Sequence, residues 1–249
     1  MDQIILKATN ISKSFGNTKA LKNVDFHLYK SKIHGLLGEN GAGKSSLMNI
    51  LSGIYQPESG KISIDGNTIK KLNPDYAAQL GIGMVHQEFR LIDNFSIKDN
   101  LTLSKSNIYI DNFGDAFKKY SDIFSLSADP SITINKLSVG EKQKIEIMKL
   151  IFNNNKIMLL DEPTAVLTPQ ETSQLRVSLE KLSEQDDKTI VLITHKLKEI
   201  QDFTESIFVL KDGEMVAKDL RTKDVTKTDL INLMMGKIKT TKVDKKNIK

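Results

Sequence analysis

The chain has 249 residues, enough for one large α/β domain, and its 39% apolar and 27% charged side chains are ordinary for a protein with a packed core. It has no cysteine, which excludes a disulfide framework or thiolate metal centre, and no apolar run nears the ~20 residues of a membrane-spanning helix. The net charge of +5 sits in the last thirteen residues, with six lysines and one aspartate; the neutral remainder argues against a nucleic-acid-binding body, which spreads positive charge over its folded surface.

The opening decapeptide MDQIILKATN lacks the charged, apolar and small-residue regions of a signal peptide, so a cytoplasmic protein is expected. Two β-rich stretches follow, at 4–15 and 24–29. Residues 32–37 (KIHGLL) predict a buried strand feeding a glycine-rich loop, and 45–53 a helix ending at Gly53. PESG and DGN are turn signals around a short strand at 61–65. A helix at 74–81 and a strand at 82–87 come next. From about 91 to 152 strand signals fade and three segments carry helical spacing, which predicts an inserted helical subdomain. Alternation then resumes: strand 156–160, helix 169–184, strand 189–194, helix 196–203, strand 206–210. A DG turn at 212–213 leads to a short strand and a helix near 226–235. Strands alternating with helices predict a parallel-rich sheet with helices on its faces. One folded unit is expected over 1–236, with a basic, solvated, disordered tail at 237–249.

The octapeptide GENGAGKS (38–45) fits the phosphate-binding pattern G-x-x-x-x-G-K-[ST] at every fixed position. Gly38, Gly41 and Gly43 let the backbone curl until its N–H groups face phosphate oxygens, and the following helix adds its positive end. Lys44 is expected to neutralise charge on the β- and γ-phosphates, and Ser45 to ligate Mg²⁺. Asp161 and Glu162 close the apolar run KIMLL, at the carboxyl end where open parallel sheets place their ligands. Asp161 suits the metal and Glu162 the attacking water; alone, an acidic pair more often caps a strand and faces solvent.

With these segments in place the chain resembles the ATP-binding subunit of an ABC transporter from about residue 4 to 236. VHQEF (85–89) resembles the family's Q-loop, LSVGEKQK (137–144) its signature, usually LSGGQ, and ITHK (193–196) its switch. The resemblance implies a P-loop NTPase core with an N-terminal antiparallel β subdomain and the helical insert. It implies ATP bound by Phe15 stacking on adenine and by residues 38–46 (Gly38, Glu39, Asn40, Gly41, Ala42, Gly43, Lys44, Ser45, Ser46). Mg²⁺ would lie near Ser45, Gln87 and Asp161, with Glu162, His195 and Gln87 catalytic. In trans, Ser138, Gly140 and Glu141 would face the nucleotide held by a second, head-to-tail ATPase domain. Transmembrane permeases, and through them a substrate-binding protein, are the implied partners, with the chain peripheral on the inner face of the cell membrane and no nucleic acid.

The phosphate loop and signature lie about 95 residues apart, room for a small subdomain but not for the long coiled coils of chromosome-maintenance relatives. DEPTAVLTPQE, LGIGMVHQEF, LSVGEKQKIEI and LMMGK are similar to ATPases of simple-sugar and nucleoside importers, in which two ATPase halves commonly share one polypeptide; this chain resembles the first. An exporter ATPase and a soluble, non-transport ABC ATPase remain alternatives. Three departures stand out: Val139 where the signature has its first glycine, Glu141 where it has glutamine, and Thr168 where aspartate is usual. They imply two composite sites of unequal rate, the one completed by LSVGE being slower.

Overall fold

A computed structural model describes residues 3–103 and 112–236; the predicted basic tail at 237–249 lies outside the described residues. Twelve-residue strands β1 (Ile4–Phe15) and β2 (Thr18–Tyr29) form a hairpin and join β4 (Ser59–Ile64) and β5 (Asn67–Ile69) in an antiparallel sheet of order β2-β1-β4-β5. The second sheet collects β3 (Ile33–Leu37), β6 (Ile82–Val85), β7 (Ile157–Asp161), β8 (Thr189–Thr194), β9 (Ser206–Lys211) and β10 (Glu214–Arg221) in the order β10-β9-β3-β8-β7-β6. Every pairing within it is parallel except β10 on β9. This is the expected α/β fold, a parallel-rich core sheet with an antiparallel sheet beside it. Strands β3 and β8 are buried at every position, as a sheet covered on both faces requires.

The helices are α1 (Lys44–Leu51), α2 (Pro74–Gln79), α3 (Ile97–Thr102), α4 (Phe113–Phe124), α5 (Val139–Phe152), α6 (Pro169–Gln185), α7 (Leu197–Phe203) and α8 (Lys227–Met235). Between β6 and β7 the described elements are α3, α4, a 3₁₀ turn at Ile134–Lys136 and α5. Tyr120, Phe124, Phe152 and Ile147, each at most 2% exposed, form their core together with Leu175 and Leu179 of α6. A separate core under the antiparallel sheet packs Phe26, Leu28, Leu47 and Met48 against Phe208.

Most of the expected elements occur at the expected places, and three differ. The second β stretch begins at Thr18 rather than residue 24, because its polar half pairs with the end of β1 (Phe15 opposite Thr18, Ser14 opposite Lys19). The DGN turn opens into an extra three-residue edge strand, β5, paired with β4. The final strand is eight residues long and is tied to β2 by Tyr29 Oη, which donates to Asp219 at 2.9 Å, and by the Lys218–Asp25 ion pair.

Candidate active site

After β3 the chain curls through residues 38–43 and enters α1. Gly41 (φ +82°) and Gly43 (φ +105°) occupy left-handed backbone. At Gly43 a side chain is also excluded by space, since a Cβ would stand 2.5 Å from the carbonyl of Ala20. Lys44 is buried, and its Nζ donates to the carbonyls of Gly38 (2.8 Å) and Glu39 (3.0 Å), so the lysine closes the loop on itself. Burial lowers the Lys44 pKa, while the charges of Glu162 and Asp161 act to raise it. No side chain caps α1, which leaves its first N–H groups for an anion.

Strand β8 lies between β3 and β7 in the sheet, with Leu37 opposite Thr194 and Asp161 opposite Ile193. That register brings the phosphate loop, the acidic pair and the His195 loop to one edge, although far apart in sequence. Burial raises the Asp161 pKa, reinforced by the Glu162 charge and opposed by Lys44 and a hydrogen bond from Ser45. Glu162 has φ +47°, a left-handed conformation costing a non-glycine residue about 1–2 kcal/mol. Its N–H is held by Ile193 O at 2.9 Å, and its Oε1 lies 2.6 Å from His195 Nδ1. With a carboxylate on Nδ1, a ring proton belongs there.

The phosphate loop and the acidic pair border a cavity of about 470 Å³; His195 is not among its lining residues and reaches it only through Glu162. Asn40, Gly41, Gly43, Lys44, Ser45, Ser46, Gln87, Asp161 and Glu162 line one side, and β2 and Asp212–Gly213 the other. A recess of about 340 Å³ shares Ser45, Gln87 and Asp161 with it. These three are hard oxygen donors suited to Mg²⁺, and Ser45 already bonds Asp161. Among the described residues no three His, Cys, Asp or Glu side chains cluster as a metal cage; the remaining ligands would be phosphate oxygens and water.

The other predicted site residues fall into three groups. Gly38 and Glu39 serve through their carbonyls on Lys44, and Ala42 is buried under the loop. Phe15 does not line the cavity; it stands at its rim, opposite Thr18, edge-on to Tyr55 with ring centroids 5.2 Å apart. Ser138, Gly140 and Glu141 lie away from the cavity at the start of α5. There Ser138 is the N-cap, and its N–H and Oγ both donate to Glu141 Oε2 at 2.8 Å. Thr168, in the aspartate's usual position, caps α6 in the same way through Glu171, so the cap is kept although the acid is not.

Two features went unread in the sequence. The Asp212–Gly213 turn braces the phosphate loop: Gly213 N donates to Ala42 O at 3.0 Å and Gly213 O accepts from Lys22 N at 2.7 Å. The loop after Gln87 is gripped by α5, where Glu146 accepts from Arg90 N and Lys149 Nζ donates to Arg90 O at 3.1 Å. Burial raises the pKa of Glu146. The helical spacing of α5 predicted its apolar face, but spacing cannot reveal a buried carboxylate's backbone partner.

A family model described as "ABC transporter" matches residues 21–165. The nucleoside import ATP-binding protein NupA of Lactococcus lactis subsp. cremoris is 38% identical over 241 residues, 95% of this chain and 47% of that protein. The ribose import ATP-binding protein RbsA of a Ruegeria species is 38% identical over 94% of this chain and 46% of its own length. The chain thus spans about half the length of the curated relatives it matches. Among solved structures, the ATP-binding cassette MJ0796, a dimer in a post-hydrolysis state bound to ADP and Pi, superposes with a TM-score of 0.74 at 28% identity, covering 85% of this chain and 96% of that one. The family model alone takes in more than half of the sequence, and this chain belongs to the ABC transporter family as one of its ATPase domains.

Proposed function

We propose that this chain is the ATPase half of an importer for a simple sugar or a nucleoside, seated on the inner face of the membrane against permease subunits that receive cargo from a substrate-binding protein. The relatives named for nucleoside and ribose import support that cargo class. Their doubled length supports a second ATPase domain as partner, arranged head to tail in this reading, and the dimeric cassette with ADP and Pi supports pairing of two such domains. Among the described residues no helix is long and apolar enough to cross a membrane, so translocation falls to the permeases.

The observation that carries the hydrolytic reading is the 2.6 Å contact of Glu162 with His195 at the edge of the cavity that holds Lys44 and Ser45. The phosphate-loop N–H groups and Lys44 bind the β- and γ-phosphates. Mg²⁺ bound at Ser45 and Asp161, with Gln87 beside it, would neutralise phosphate charge. Glu162 orients a water and takes its proton as the water oxygen bonds the γ-phosphorus; the bond to the β-phosphate oxygen breaks, and ADP leaves with that electron pair. His195 holds Glu162 through Nδ1, and a γ-phosphate oxygen at Nε2 would be met by the second N–H of the imidazolium form. Catalysis is positioning and charge neutralisation. Glu162→Gln is expected to bind ATP within about threefold of the parent and to hydrolyse it roughly 100-fold more slowly. A single-turnover assay finding the parental rate would remove Glu162 from the proposed role.

A further inference from the structure

We infer that Glu199, outside the motifs named above, is the positioning residue that locks the Glu162 loop to the His195 loop; the inference rests on the catalytic reading of those two residues. Glu199 is 7% exposed, in the first turn of α7. Its Oε1 accepts from the hydroxyl of Thr164, two residues after Glu162. Its Oε2 accepts from the hydroxyl of Thr194, the residue before His195, at 2.9 Å. The Thr194 oxygen in turn accepts from Lys196 N at 3.1 Å, and Lys196 Nζ lies 2.8 Å from Glu199 Oε1. One carboxylate therefore fixes residues on both sides of His195 and the turn that follows Glu162.

The loops are joined at two points, and the two joints differ. At the cleft, Glu162 meets His195, and both must be free to engage water and phosphate. Behind the cleft, Thr164–Glu199–Thr194 is buried and lines neither of the two cavities described above. A buried carboxylate with both oxygens engaged is costly to disturb, so the rear joint holds the loops together when the front contact opens for substrate. The helix that carries it is itself fixed. A Cβ on Gly35 of β3 would stand 2.7 Å from Ile200 Cδ1, so α7 rests directly on the strand that leads to the phosphate loop. Glu199 is thereby referenced to the strand that leads to Lys44, and a displacement of about 1 Å between these groups can cost about 100-fold in rate.

The test uses the full chain in its assembled transporter, with ATP affinity measured at equilibrium and hydrolysis in single turnover. Glu199→Ala and the isosteric Thr194→Val are expected to slow hydrolysis roughly 10–100-fold while ATP affinity stays within about threefold. Thr194→Ser, which keeps the hydroxyl, is expected to return the rate to within about threefold of the parent. In a Glu162→Gln/His195→Ala double mutant, Glu199→Ala is expected to add at most about twofold, because neither residue that it positions is left to act. A parental rate in Glu199→Ala, equal losses of affinity and rate, or losses that multiply in the double-mutant background would each overturn the inference while leaving the catalytic reading intact. Parental rates in both Glu162→Gln and His195→Ala would overturn that reading, and the inference with it.

Discussion

The phosphate loop with its facing acids and the tip of α5 are both rich in hydroxyl, amide and carboxyl groups, yet they are finished to different degrees. In the first, Lys44 closes its own loop, and groups at the ends of β7 and β8 and the start of α1 bond one another across long sequence distances: Ser45 to Asp161, Glu162 to Ile193 and His195. At the tip, the Ser138 side chain bonds Glu141 on its own first turn, and Val139 is 48% exposed. The first is a nearly preorganised half-site, while the second is a capped helix end whose polar groups satisfy each other. A surface of that kind gains a ligand only when another body brings one, as the proposed head-to-tail partner would.

The largest effect should separate these regions within one isolated chain. Lys44→Ala removes the buried ammonium and strands the Gly38 and Glu39 carbonyls, and is expected to weaken ATP binding at least 100-fold, roughly 3 kcal/mol. Ser138→Ala removes a helix cap and is expected to cost about 1 kcal/mol of stability with ATP affinity unchanged. Titration with a fluorescent nucleotide checks both. Equal losses of affinity would show that the tip serves its own chain's nucleotide.

How far each region could be read in advance follows from how local its interactions are. The phosphate loop is contiguous, so its glycines, Lys44 and Ser45 were legible in eight residues. Strand β8 was legible to the residue because TIVLIT is an unbroken buried run. Strand β5 was hidden behind the Asp65–Gly66 turn, since three partly exposed residues leave no periodicity to detect. The Gly213 brace on Ala42 and the Glu146 grip on Arg90 were also invisible, because each depends on a strand order and a helix packing that no local pattern encodes. Phe15 was assigned by resemblance alone; the structure sets it opposite Thr18 and edge-on to Tyr55.

The two regions should also titrate differently. His34, on the strand that feeds the phosphate loop, is fully buried, and desolvation pushes its pKa down to about 4. The unfolded chain takes up this proton near pH 6.5 and the folded chain only near 4, so stability rises with pH between those values and is lost on acidification through them. About 2 kcal/mol should disappear between pH 7 and pH 5, and His34→Gln should flatten that slope in urea unfolding curves. The helix caps behave otherwise. Hydrogen bonds from Thr168 lower the Glu171 pKa from an ordinary 4.5, so this cap is complete above that value and is lost only as pH falls through the lowered one. An unchanged slope in His34→Gln would mean that the acid sensitivity lies elsewhere.

A smaller effect probes the contact between the α5 tip and α6. A Cβ on Gly140 would collide with the Glu171 carboxylate, which is already committed to Thr168 N and Oγ1 at 2.8 Å. Gly140→Ala must therefore displace Glu171 and open the α6 cap, a cost of about 1 kcal/mol. The helix-propensity gain from alanine over glycine, up to about 1 kcal/mol in a helix interior and smaller in the first turn where Gly140 lies, acts in the opposite direction. Adding Glu171→Ala tests this balance: with the carboxylate gone, Gly140→Ala should stabilise the chain by roughly 0.5 kcal/mol. If Gly140→Ala costs the same with or without Glu171, the collision is not what constrains the glycine.

The smallest effect concerns Glu141, where charge and capping can be separated. Glutamine serves a capping box as well as glutamate does, so Glu141→Gln should keep the bond to Ser138 N and change stability by at most a few tenths of a kcal/mol. What it removes is one negative charge from the surface proposed to meet the partner's γ-phosphate. If that charge makes the two composite sites unequal, Glu141→Gln should raise turnover at the site it completes by a few-fold, with a larger gain at low ionic strength because an exposed charge is screened by salt. Nucleotide trapping resolved by site in the assembled complex reads this directly. Turnover that is unchanged at every salt concentration would leave Glu141 as a helix cap and would return the question of asymmetry to Val139.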